Sequence, residues 1–168
     1  MATMKVPGVP LIGQKNDYSC WYASSQMLYA YSAANGGSML DPASVSMTKN
    51  RASGPTGGTW DSTNSRLLAS TLNMSPWGMS SVSLDYDCLW YILSAFGPIW
   101  TSLQKNWGGN NYGHVVVITG IRDGAAGGVR IYDPMPMTAG SKIWLTWSQI
   151  KKAVDGQSEA DYHYLTPQ

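Results

Sequence analysis

Charge is scarce in this 168-residue chain: eleven Lys and Arg stand against ten Asp and Glu, about half the usual charged share. With no basic run and a formal net charge of +1, neither nucleic acid nor an anionic membrane surface is expected as a partner. Long apolar runs are missing too. No stretch approaches the ~20 residues that a transmembrane helix needs. The opening segment, Met1 to Gly13, holds a single Lys and is broken at Pro7-Gly8 and Pro10, so a signal peptide is not expected. The expected location is the cytoplasm of the producing cell, or outside it after export by a specialised secretion system. Two Cys are too few for a disulfide scaffold, and both thiols are expected to be free. Neither the two Cys nor the two His show ligand spacing such as C-x₂-C or H-x₃-H. Zinc is therefore excluded, and no cofactor is expected.

What is present is a neutral polar chain long enough for one core-bearing domain, taken as residues 1–168. Eight Trp and ten Tyr accompany one Phe, an aromatic set whose polar handles suit clefts. Val6 to Gly13 reads as an extended arm, because Pro and Gly exclude a helix there. A helix should begin near Cys20 behind the capping candidates Asn16, Asp17 and Ser19. Ala23, Met27, Ala30 and Ala34 would form its small-residue face, and Asn35-Gly36-Gly37 its end. A short helix around Val45 and Met47, a loop over 53–59, and helices over Ser62–Leu72 and Asp85–Phe96 follow. The second half changes to strands: Ile99–Leu103, His114–Thr119, Val129–Tyr132, Lys142–Thr146 and Tyr162–Leu165, with a short helix over Ser148–Val154. Helices first and an antiparallel sheet after make an α+β domain.

Three segments carry chemistry. The first is Gln14-Lys15-Asn16-Asp17-Tyr18-Ser19-Cys20-Trp21. A thiol in the first helical turn sits where the dipole and free N–H groups favour an anion, hence a nucleophilic thiolate. Gln14 can fold back beside the sulfur and, with the Cys20 N–H, form an oxyanion hole. The second is Gly113-His114, where an imidazole opens the apolar run Val115 to Ile118 and would be held rigidly at a cleft. The third is Tyr132-Asp133-Pro134, nineteen residues after His114 and reached through the turn from Asp123 to Gly128. Pairing those strands would let the Asp133 carboxylate accept the ring N–H and fix the tautomer. Trp21 beside the thiol, and Trp107 and Tyr112 before the base, are the expected substrate contacts. Trp107 to Tyr112 is either a flap or an ordinary Gly-rich hairpin. Cys88 is assigned to core packing with Leu84, Ile92 and Ala95, and His163 to the surface of the last strand.

Together, Gln14, Cys20-Trp21, Gly113-His114 and Tyr132-Asp133-Pro134 resemble the papain-like cysteine protease superfamily. Within it they are similar to the bacteriocin-processing peptidases of bacterial exporters and to the avirulence-effector proteases that plant-pathogenic bacteria inject into hosts. Gly97-Pro98-Ile99-Trp100 and the run from Val115 to Gly120 share that likeness, which covers roughly residues 6–135. The resemblance implies Cys20 as nucleophile, His114 as general base and acid, Asp133 as orienter and Gln14 as oxyanion donor. It implies a helical part packed on a half-barrel sheet, with the cleft between them. The chain departs from the plant-enzyme signature Cys-Gly-Ser-Cys-Trp, since Asp17 and Tyr18 stand at its first two places. The ninety-four residues from Cys20 to His114, and Asp in place of Asn as orienter, point to a minimal bacterial enzyme.

The expected activity is hydrolysis of peptide or amide bonds through an acyl-thioester, by a monomer acting on a protein or peptide as a secreted bacterial effector. A peptidoglycan peptide amidase toxin, with an inhibitor or immunity protein as partner, would use the same set. Transfer to an amine, as in transglutaminases, would also use it. A silent binding module on the same scaffold is the alternative from another class.

Overall fold

The computed structural model describes residues 2–53, 65–77, 84–107, 109–154 and 164–168. In chain order these form β1 (Thr3–Lys5), α1 (Cys20–Ala34), α2 (Ser46–Ala52), α3 (Ser65–Leu72), β2 (Met74–Trp77) and α4 (Tyr86–Phe96). Then follow β3 (Ile99–Trp107), β4 (Asn110–Arg122), β5 (Gly128–Asp133), β6 (Ser141–Thr146), α5 (Trp147–Val154) and β7 (Tyr164–Pro167). The strands make one antiparallel sheet in the order β2-β7-β3-β4-β5-β6. β1 takes over along β4 where β3 has ended. The expected α+β class is what the chain folds into, with helices mostly before the sheet.

β4 is the axis of the molecule. Val115 to Ile118 are almost wholly buried, as a continuous β-branched run in a central strand should be. α1 lies against this strand and its neighbour β3, tied once to each: Ser24 Oγ donates to the Val115 carbonyl of β4 at 3.4 Å, and Trp100 Nε1 of β3 donates to the Trp21 carbonyl at 3.2 Å. The buried side chains of α1 include Ala23, Ser24, Ser25 and Ser32, and such small residues let a helix approach a sheet closely. The inward face therefore follows Cys20, Ser24 and Leu28 as well as Ala23 and Met27, whereas Ala34 is exposed.

α4 matches its expected limits. Asp85 accepts from the Cys88 N–H at 2.8 Å, and Gly97 at φ 86° ends the helix where a side chain would strike the Tyr31 ring. Its inward residues are Leu89, Ile92 and Leu93; Ala95 faces out and Cys88 is half-buried against the core. α3 turns Leu68 and Leu72 inward as expected, while the expected start at Ser62 lies outside the described residues. So do the expected 53–59 loop beyond Ser53, Tyr162 and His163. β3 and β4 run longer than expected because their pairing continues to Trp107 and Asn110, making a hairpin of the Gly-rich segment. β1 and β2 are three- and four-residue edge strands that no alternating pattern announces.

Candidate active site

Cys20 is the first residue of α1, as the sequence leads one to expect, but the cap is unusual. Ser19 is the N-cap, yet its hydroxyl makes no capping bond. Ser19 Oγ accepts from the Asn16 N–H at 3.0 Å and donates to the Asn16 carbonyl at 2.9 Å instead. The turn before the helix is thereby closed on itself. Among the described residues no backbone acceptor takes the Cys20 N–H. A buried sulfur thus stands at a helix N-terminus whose donors are not consumed by a cap.

His114 and Asp133 reach this point from the sheet. Leu103 is the cross-strand partner of His114, and Val117 that of Tyr132, so the next pair along β4 and β5 is Val116 and Asp133. Residues two apart on a strand share a face, which puts His114 and Asp133 on one side of the sheet. His114 Nε2 lies 2.6 Å from Asp133 Oδ1, and both side chains are only 3% exposed. The imidazole's other hydrogen-bond partner is Cys20. With Nε2 on Asp133, Nδ1 is the nitrogen that serves the sulfur.

The carboxylate is held from further sides. Met135 N–H donates to Oδ1 at 2.8 Å, and Lys105 Nζ stands 2.6 Å from Oδ2. Burial alone would push the imidazole below its usual 6.5; the Asp133 hydrogen bond, then the bond and charge of Cys20 and the charge of Asp133, raise it to about 9. Burial would likewise raise the Asp133 carboxyl, but the bond and charge of His114, Lys105 and the Met135 N–H bring it to about 2. Histidine and carboxylate are therefore a charged pair at neutral pH. Among the described residues, no group of three or more His, Cys, Asp or Glu could hold a metal ion.

This thiol, imidazole and carboxylate set can be compared with known proteins. The family model described as papain-like cysteine protease AvrRpt2 matches residues 3–150. The chain belongs to that family. No curated protein sequence matches it significantly. Among solved structures, a mite allergen chain, from work on antibody cross-reactivity between Blo t 1 and Der p 1, is similar at 10% identity and a TM-score of 0.45. That match covers 95% of this chain and 66% of the allergen chain, so the present chain spans just under two thirds of its length. The α+β arrangement of helices on an antiparallel sheet is thus the papain-like fold of a cysteine protease family.

Gln14 sits differently from its expected role. Its Nε2 donates to the carbonyls of Asn16 and Asp17 at 2.8 and 2.9 Å, using both amide protons on the turn that delivers Cys20. Its Oε1 is buried without a partner. The Gln14 backbone is clamped to the loop after Asp133, donating to the Pro134 carbonyl at 3.0 Å and accepting from the Thr138 N–H at 2.8 Å. Gly13 belongs to the same clamp, since a Cβ there would overlap the Thr138 backbone. The arm before Cys20 and the segment behind Asp133 are therefore one unit.

Trp21 requires a correction. It is fully buried beneath α1, its carbonyl bonded to Trp100, and so cannot contact a substrate. One residue along a helix turns the side chain by about 100°, which carries Trp21 away from the face that Cys20 presents. Tyr112 is 43% exposed two residues before His114, where a substrate could touch it. The Trp107 side chain lies outside what is described. The sequence reading missed Lys105. The alternation of β3 could have found it: two residues beyond Leu103, it shares that residue's face and so the face of His114.

These shifts set a pH window for stability. His114 titrates higher folded than unfolded, so its contribution is complete below 6.5 and is lost as pH rises through about 9. Asp133 titrates lower folded than unfolded, so its contribution is complete above 3.8 and is lost as pH falls through about 2. The thermal midpoint should therefore be flat between these limits and decline above neutrality. His114→Ala should remove most of the alkaline decline, as differential scanning calorimetry across pH would read.

Proposed function

We propose that this protein is a cysteine peptidase that cuts polypeptides with Cys20 as nucleophile, His114 as base and acid, and Asp133 as orienter. The observation that carries the reading is the imidazole held between two partners, Asp133 at 2.6 Å and the thiol of Cys20. Membership of a cysteine protease family supports it. The thiolate attacks the carbonyl carbon, and the oxyanion takes the Cys20 N–H together with a Gln14 proton drawn off one of the two carbonyls it serves. The imidazolium gives its Nδ1 proton to the departing amine. Water, deprotonated by the now neutral ring, releases the acyl group and restores the thiolate beside the imidazolium. Because the charged pair persists to about 9, the working range should extend to mildly alkaline pH.

Action as an exported effector belongs to the same proposal, on the likeness of Gln14, Cys20-Trp21, Gly113-His114 and Tyr132-Asp133-Pro134 to the avirulence-effector proteases. The substrate class is tested by incubating the protein with a denatured polypeptide and with purified peptidoglycan side by side. The expected result is polypeptide fragments, absent with Cys20→Ala, and intact peptidoglycan peptides. Release of peptidoglycan peptides with the polypeptide untouched would replace this reading by a cell-wall amidase.

A further inference from the structure

We propose that Lys105 is a positioning residue of this site, acting on His114 through Asp133 by holding the carboxylate's outer oxygen and balancing its charge. The inference rests on the reading of Cys20, His114 and Asp133 above. Division of labour around the carboxylate is the first observation. Oδ1 takes His114 Nε2 and the Met135 N–H, while Oδ2 takes Lys105 Nζ at 2.6 Å. The second is placement: Lys105 stands opposite Tyr112, and Leu103 stands opposite His114, so Lys105 is a diagonal neighbour of the imidazole on the same face. Its side chain is 29% exposed against 3% for Asp133, so it links a buried carboxylate to the solvent boundary.

The chemistry explains why a cation belongs there. Thiolate, imidazolium and carboxylate together carry one net negative charge, and a buried uncompensated charge is costly. Lys105 cancels it. An ordinary surface ion pair contributes little, but this one has a buried partner that also holds the base. In the acylation step the C–N bond breaks as the Nδ1 proton passes to the amine nitrogen, leaving a neutral ring while carboxylate and ammonium keep their charges. A carboxylate without its counter-charge would hold the imidazolium more strongly and slow that transfer. Among the described residues, the charged or titratable groups that bear on the imidazole include Cys20 from α1, Asp133 from β5 and, through Asp133, Lys105 from β3.

Histidine NMR on the whole chain tests this without a substrate. The sequence holds two His, so a ¹⁵N-histidine spectrum is simple, and His114→Ala assigns the signal. Lys105→Met should move the His114 midpoint upward by about one pH unit, and Lys105→Arg should leave it near that of the unaltered protein. Turnover at neutral pH should fall about tenfold in kcat with KM unchanged for Lys105→Met, and be restored by Lys105→Arg. Lys105→Gln, which keeps the stem and a donor without the charge, should repeat the upward shift if the Met variant folds poorly. An unmoved or lowered midpoint in a folded neutral variant overturns the proposal, even if turnover drops. Persistence of turnover in Cys20→Ala would instead overturn the peptidase reading, leaving the NMR result to decide the role of Lys105 on its own.

Discussion

Cys20→Ala lowers polypeptide hydrolysis by about 10⁴-fold or more, while Cys88→Ala leaves it unchanged. The size of the first effect follows from the proposed chemistry: without sulfur there is no acyl-enzyme, and the remaining binding and oxyanion contacts supply only residual catalysis. Substitution should also be gentle to the fold, because Cys20 opens a helix rather than filling its centre, and Ala is the best helix former. The contrast between the thiols is physical. Cys88 sits half-buried on α4, where burial and then the charge of Asp85 push its thiol up. Initial rates for the two variants and the unaltered protein, measured on the same substrate, check both halves.

Asp133→Ala has the second large effect, on rate and on stability together. Turnover should fall about 10²- to 10⁴-fold, because the imidazole loses the acceptor that fixes its orientation and favours its charged form. The protein should also lose about 3 kcal/mol, since His114 and Lys105 are left without their shared partner in a buried setting. In a domain of this length that is roughly 6–12 °C of Tm. His114→Ala should be at least as damaging to rate but milder to stability, because it leaves the Lys105–Asp133 pair intact. Equal losses of Tm in the two variants would contradict this division.

Much of the site was legible in the sequence because each part is announced by local chemistry. Asn16 to Ser19 before an apolar helical run marks where α1 starts, and the start fixes where Cys20 sits. Gly113-His114 before four β-branched residues marks a strand that must be central, and the turn after Arg122 fixes its partner. What stayed hidden depends on pairings that adjacent residues do not encode. The carbonyls of Asn16 and Asp17 claim the Gln14 amide because the turn folds back, which no spacing shows. The inward direction of Trp21 is set by the packing of α1 on β3, with Trp100 beneath it. Lys105 was overlooked because the expected strand stopped at Leu103, whereas the pairing of β3 with β4 carries the strand on through Lys105 and puts it on the face of His114. β1 and β2 are too short to carry a period and exist because β4 and β7 offer them an edge.

The central claim, that Cys20 is an activated nucleophile held by His114, is tested most directly by covalent labelling. The folded protein at neutral pH is incubated with an epoxysuccinyl peptide, and the modified peptide is mapped by mass spectrometry. The account predicts one adduct, on Cys20, formed rapidly, lost in Cys20→Ala, strongly slowed in His114→Ala and unaffected by Cys88→Ala. Labelling that persists in Cys20→Ala, or that spares Cys20 in the folded protein, would contradict it.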